Sequence, residues 1–202
     1  MQAGGAAPRR RGSAADQGGL TDRLFVAVTP PQAVRERLHE HAAALGHPQL
    51  RVLTAESLHV TVLFLGAVVR GAIDELAGRL GAVAADEAPF ALSIGHAVPG
   101  PPRRPYMLWA QVAASTPLVR LSGAMHEVAH PLAPELSKPL RGEAHITLAR
   151  GRGRVQGIEP AAIDPAPPAF EVRALQLVRS HLSPKGARYE TVTDLPLGVT
   201  TA

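Results

Sequence analysis

The chain has 202 residues, 46% of them hydrophobic but only 3% aromatic, which suits one compact domain or two small lobes with a core of Ala, Val and Leu. It has no cysteine, which excludes disulfides and thiolate metal centres and fits a reducing compartment. The net charge of +4 is modest but unevenly placed, and no apolar run reaches the roughly 18–20 residues that span a bilayer, so a cytoplasmic protein is expected.

The opening "MQAGGAAPRRRGSAADQGG" carries arginines with no apolar stretch behind them. Residues 1–22 are therefore expected to be a disordered tail rather than a secretory or twin-arginine signal, with residues 23–198 as the folded domain. "RLFVAV" (23–28) predicts a strand. Thr29-Pro30 then marks a helix start, with Thr as N-cap and Pro in the first turn, and Val34, Leu38, Ala42 and Leu45 recur at helical spacing. "SLHVTVLFLG" (57–66) predicts a buried strand, and a helix follows near 72–85 and a strand near 90–97. "VPGPPRRP" (98–105) reads as a loop from its prolines.

From residue 106 the order repeats. "YMLWAQV" predicts a strand, Thr116-Pro117 a second helix cap, and Leu118, Leu121, Met125 and Val128 an apolar helical stripe. "EAHITLAR" (143–150) is the next strand. Thr29 precedes His59 by 30 positions and Thr116 precedes His145 by 29, so strand, cap, helix and His-x-Thr strand occur twice in one order. The span 157–169 reads as a loop or short helix, and strands are expected at 170–180 and 187–193, joined by "SPKG". The pattern predicts an α+β fold of two duplicated lobes.

Side chains on a strand alternate between faces, so His59 and Thr61 share one face while Val60 and Val62 take the other. The same holds for His145 and Thr147 against Ile146 and Leu148. Each strand can turn an apolar back to its helices and present an imidazole and a hydroxyl in front. Opening a phosphodiester with water needs a base for the water's proton and an acid for the departing oxygen. Histidine serves either role near neutral pH. Threonine hydroxyls can donate to the non-bridging oxygens where charge builds up. Residues 138–154 hold five Lys and Arg against Glu143, a local charge of +4 that would attract an anionic ligand. Sequence alone does not say which histidine is acid and which is base.

The two motifs resemble the paired His-x-Thr-x signatures of the 2H phosphoesterase superfamily. Within it, the chain is similar to the bacterial RNA 2′,3′-cyclic phosphodiesterases, the 2′-5′ RNA ligase-like family. "RLFVAV", "LHVTVLFLG", "RPYMLWAQV", "HITLAR" and "RSHLSPKGARYE" carry the resemblance, which covers about residues 23–197. It implies a bilobal α+β fold, two lobes of antiparallel sheet with outer helices around a central cleft. It implies hydrolysis of terminal 2′,3′-cyclic phosphates on RNA to 2′-phosphates, a reaction two imidazoles can run without a metal, and a monomer with no cofactor is expected. His59 would then be the proton donor, His145 the proton acceptor, and Thr61, Thr147 and Arg150 phosphate contacts. Strand alternation puts Arg150 on the wrong face unless the strand ends or bulges near Ala149. Ala144 and Leu63 depart from the family pattern, which often has Pro and a basic residue there.

One motif competes. "HEVAH" (126–130) matches the H-E-x-x-H zinc peptidase signature. Both its histidines fall away from the apolar stripe of their helix, Pro131 stops that helix, and Ala133 and Leu136 stand where the extended signature needs Gly and His. His39 and His41 are expected on the surface of the first helix and His47 in the loop before Pro48, His96 has no partner in the pattern, and His181 is expected to be structural. The remaining alternatives are another 2H enzyme, acting on a small cyclic nucleotide or running 2′-5′ ligation, and a non-catalytic module that binds RNA ends.

Overall fold

A computed structural model describes residues 19–142, 144–183 and 186–198. Most of the expected tail lies outside these residues, and strand β1 (Thr21–Val28) begins two positions before the folded domain was expected to start. Leu24, Val26 and Val28 of β1 enter the main core, while Phe25 and Ala27 join Val178 in a smaller cluster on the opposite face. That alternation makes β1 buried on both sides, as its unbroken apolar run requires.

Helix α1 (Gln32–Ala44) starts later than the Thr29-Pro30 cap predicts: Pro31 occupies the N-cap position with no side-chain bond. Thr29 and Pro30 each precede a proline, which keeps both out of helical geometry, so the helix can begin no earlier than Pro31. The Thr29 hydroxyl donates instead to Gln176 Oε1 at 2.8 Å. A short strand β2 (Leu50–Val52), not foreseen, leads through a helical turn at Ala55–Ser57 into β3 (Val60–Val69). Helix α2 (Ile73–Ala85), strands β4 (Phe90–Leu92) and β5 (Ile94–Gly100), and β6 (Met107–Val112) follow. The strand β5 runs through Val98 and Pro99, where the prolines predict loop. Its outer neighbour, the two-residue β8 (Ala161–Ala162), covers only His96 and Ala97, so Pro99 meets an open edge. That small strand is the one regular element in the predicted loop 157–169.

Helix α3 (Thr116–Ala129) is capped by Ser115, whose hydroxyl accepts from Leu118 N, rather than by Thr116, one residue too late in the prediction. Strands β7 (Ala144–Gly151), β9 (Phe170–Val172), β10 (Ala174–Ser183) and β11 (Gly186–Pro196) complete the chain. No helix among the described residues is long and apolar enough to cross a membrane.

One nine-stranded sheet runs β11-β10-β1-β3-β7-β6-β5-β8, with β2 added beside β7, and β4 pairs separately with β9. All the pairings are antiparallel. The duplication is visible in this order: β1·β3 forms the centre of one half and β6·β7 the centre of the other. The halves meet where Val60 pairs with Ile146. Their helices are exchanged, since α1 leaves β1 to pack on β2 and β7, while α3 leaves β6 to pack on β3. Each half therefore covers the other's histidine strand, and the expected α+β architecture of antiparallel sheet with outer helices is the one found.

Candidate active site

Val60 and Ile146 are fully buried against the helices. Continuing their antiparallel register by one residue sets Thr61 beside His145 and His59 beside Thr147. All four polar side chains turn to the face away from the helices, the answer to the alternation read in the sequence. They line one pocket with Leu53, Ser57, Arg150 and Tyr189, about 320 Å³ counted to its open mouth.

The two imidazoles are held differently. His59 follows the turn at Ala55–Ser57, and its Nδ1–H donates to the Ser57 carbonyl at 2.8 Å. A carbonyl only accepts, so this bond places the proton on Nδ1 and leaves Nε2 to gain or lose one. Phe25 lies under the ring at 4.9 Å between centroids, and Tyr189 meets it edge-on at 4.9 Å. Phe25 belongs to the small apolar cluster on the cleft face, which thus forms a floor beneath His59.

His145 makes no hydrogen bond among the described residues. Trp109, from the neighbouring strand β6, stacks on it with centroids 3.8 Å apart and planes 17° from parallel. Behind Trp109, Gly100 leaves room for the indole, and a Cβ there would collide with the ring. Here glycine is required by contact.

Burial pushes the pKa of His59 below its ordinary value of 6.5, against the Ser57 bond that favours the charged ring, and the Arg150 guanidinium lowers it further. His145 is also lowered, first by burial and then by the charge of His59. Each charged ring disfavours the other, as expected of two groups sharing a small pocket.

Arg150 reaches this pocket because β7 bulges. Leu108 pairs with Ala149 and Trp109 with Thr147, so Leu148 is an extra residue on β7. Leu148 and Ala149 are both buried, alternation restarts, and Arg150 returns to the histidine face. The other half repeats the device: Val26 pairs with Leu63 and Ala27 with Thr61, and Val62 and Leu63 are both buried. Phe64 then occupies the position that Arg150 holds in the second half. It stacks parallel to Phe25 at 6.4 Å, with the Arg23 guanidinium 4.6 Å over its ring. The Val62 carbonyl is pinned from behind by Ser122, which is fully buried on α3; Ser122 Oγ donates to it at 2.7 Å and accepts from Leu140 N at 3.0 Å.

A sequence model of the 2′-5′ RNA ligase superfamily matches residues 29–184, which hold both histidine motifs. The chain belongs to that superfamily. It is 30% identical to an Archaeoglobus fulgidus protein named RNA 2′,3′-cyclic phosphodiesterase, over 83% of this chain and 96% of the relative. Among solved structures it resembles TT0787 of Thermus thermophilus, with a TM-score of 0.77, 26% identity, and coverage of 88% of this chain and 99% of that one. LigT of E. coli complexed with 3′-AMP shares the fold, with a TM-score of 0.70 at 23% identity over 89% of this chain and 99% of that one.

In this superfamily member the pocket gathers all five residues singled out by sequence: His59, Thr61, His145, Thr147 and Arg150. Two residues the sequence does not single out complete the site: Tyr189 lines the pocket, and Trp109 lies outside it, stacked on His145. Tyr189 arrives from β11, distant in sequence, and the stretch around it marks only the family. Trp109 is the sole tryptophan and lies in the repeat position opposite Phe25's strand, a signal that could have been read. His181 instead pairs with Glu190 at 2.7 Å, His39 with the Leu53 carbonyl at 2.8 Å and His47 with the Gln156 carbonyl at 3.0 Å.

The HEVAH residues lie on α3 and at its end. His126 and His130 have ring centroids 6.1 Å apart, and His126 contacts Glu127 at 3.3 Å. Among the described residues no three His, Cys, Asp or Glu side chains gather as a metal site would need. The basic window 138–154 also divides: Arg150, Arg152 and Arg154 line a groove beside the histidine pocket, and Lys138 and Arg141 do not.

Proposed function

We propose that this protein hydrolyses terminal 2′,3′-cyclic phosphates on RNA to 2′-phosphates, with His59 and His145 as its acid–base pair and without a metal. The observation that carries the reading is the Val60–Ile146 pairing, around which two imidazoles and two threonine hydroxyls line one pocket. The name of the Archaeoglobus relative supports the substrate class.

In the assignment the family resemblance implies, His145 takes a proton from water as its oxygen attacks phosphorus. The bond from phosphorus to the 3′ oxygen breaks, and His59 Nε2 gives its proton to that oxygen. A base and an acid on opposite sides suit in-line displacement, and positioned proton transfer of this kind is worth roughly 10²–10⁴-fold. Thr61, Thr147 and Arg150 hold the non-bridging oxygens, where donors aimed at developing charge contribute most. Phe25, Tyr189 and Trp109 keep water from the ring faces and hold the rings in place. Residues 23–198 act as the catalytic unit, a monomer that meets RNA ends in the cytoplasm.

The direct test is incubation of an oligoribonucleotide ending in a 2′,3′-cyclic phosphate, with the product's phosphate position read by phosphorus NMR. Appearance of a terminal 2′-phosphomonoester supports the proposal. Absence of turnover on such an end, with tight binding retained, would make the protein an RNA-end binding module instead.

A further inference from the structure

Beside the histidine pocket lies a much larger trench. It measures about 1410 Å³ to its open surface, against about 320 Å³ for the pocket, and the two share Arg150. A smaller hollow lined by Arg51, Arg150, Gly186 and Tyr189 connects them. The trench walls carry Arg51, Arg150, Arg152 and Arg154, and no carboxylate lines any of the three hollows among the described residues. Arg152 and Arg154 are exposed, and neither makes an ion pair with a described residue. The loop that holds them is built rather than loose. Gly151 N donates to the Tyr106 carbonyl at 2.7 Å and Val155 N to the Pro105 carbonyl at 2.8 Å, so both ends of the arginine segment are tied down.

We infer that Arg152 and Arg154 form a second phosphate subsite, which takes the phosphodiester on the 5′ side of the terminal cyclic nucleotide. The inference rests on the proposed reaction. A cyclic phosphate closes the 3′ end of its RNA, so the rest of the strand can leave the pocket only on the 5′ side. The arginine trench is the cation-lined exit that adjoins the phosphate-contacting Arg150. Guanidinium groups grip phosphate oxygens in pairs, and carboxylate-free walls leave that attraction unopposed. The trench contributes little aromatic surface for stacking, so the subsite reads backbone and not base sequence. The enzyme is thereby built for oligonucleotides in preference to cyclic mononucleotides.

The test compares kcat/KM on a 2′,3′-cyclic mononucleotide and on a pentanucleotide with the same end, for the wild type and the double variant Arg152→Ala/Arg154→Ala. Fluorescence anisotropy of a labelled pentanucleotide is measured alongside at several salt concentrations. The wild type is expected to favour the pentanucleotide at least tenfold, and the double variant to lose most of that ratio. The dependence of log affinity on log salt should flatten by roughly 0.7 per lost contact. A ratio that is the same in wild type and variant overturns the inference. If the wild type turns over neither substrate, the proposed reaction fails, and the binding arm still decides: weaker, less salt-dependent binding by the variant supports the trench, and equal binding overturns it.

Discussion

Trp109 lies flat on His145, ring centroids 3.8 Å apart, and supplies the contact that a hydrogen bond supplies to His59. An aromatic pair of this kind is worth about 0.5–1.5 kcal/mol beyond its burial, so Trp109→Ala should slow turnover roughly 2–10-fold and Trp109→Phe much less. Because burial is the main cause of the lowered His145 pKa, uncovering the ring should also raise it towards 6.5, readable by NMR titration of the imidazole. An Ala variant with wild-type rate and an unmoved His145 titration would deny Trp109 any positioning role.

Single replacement of His59 or His145 by alanine should cost roughly 10²–10⁴-fold in kcat. The double variant should lose far less than the product of the two losses, because the pair acts as a unit. Thr61→Ala and Thr147→Ala remove one phosphate donor each and should cost about 10–10³-fold. Multiplicative losses for the two histidines would show that they act independently.

Both histidine pKa values lie below 6.5 in the free protein. One ring must be protonated and the other neutral, so kcat/KM should be bell-shaped in pH with its maximum on the acid side of 6.5. Rate then falls as pH rises through the higher of the two apparent values and the acid loses its proton. A bound phosphate anion favours the imidazolium, so the profile of kcat should sit at higher pH than that of kcat/KM. The same shifts affect folding. The unfolded chain binds these protons more readily, so the histidines' contribution to stability is intact above about 6.5 and is lost as pH falls through their folded values. A kcat/KM optimum well above neutrality would contradict the burial of both rings.

Chelation should leave turnover intact, since the imidazole pair supplies both proton transfers. Alanine at His126 or His130 should likewise change kcat less than about twofold, because both lie on or at the end of α3, which packs on the back of β3, the face away from the histidine pocket. Loss of activity on EDTA treatment, restored by zinc, together with inactivity of His126→Ala, would transfer the chemistry to the HEVAH motif.

Ser122→Ala should destabilise the fold by about 1–3 kcal/mol, the usual cost of leaving buried polar groups unpaired. It removes the partner of both the Val62 carbonyl and Leu140 N. Since Val62 sits at the bulge that follows Thr61, urea unfolding and turnover should both report the change. Full stability in the variant would mean that another group satisfies Val62.

By itself the sequence determined the pieces that depend on short-range periodicity. The alternation around His59 and His145, the apolar stripes of α1 and α3, and the repeated order of elements are written in spacings of two to four residues. Two imidazole–hydroxyl faces follow from that alternation alone. The tertiary structure decided what spacing cannot express. Which edges meet was set at the Val60–Ile146 pairing, a contact between distant parts of the chain made possible because α1 and α3 exchange halves. The face of Arg150 was set by a bulge, an extra residue visible only against the partner strand. The helix starts moved because Pro30 and Pro31 together outweigh the preference of Thr29 for a cap, and because Ser115 stood one place nearer. Tyr189 and Trp109 became part of the site through strand order, since a residue's neighbours across a sheet depend on the register of the whole and leave no mark on its own segment.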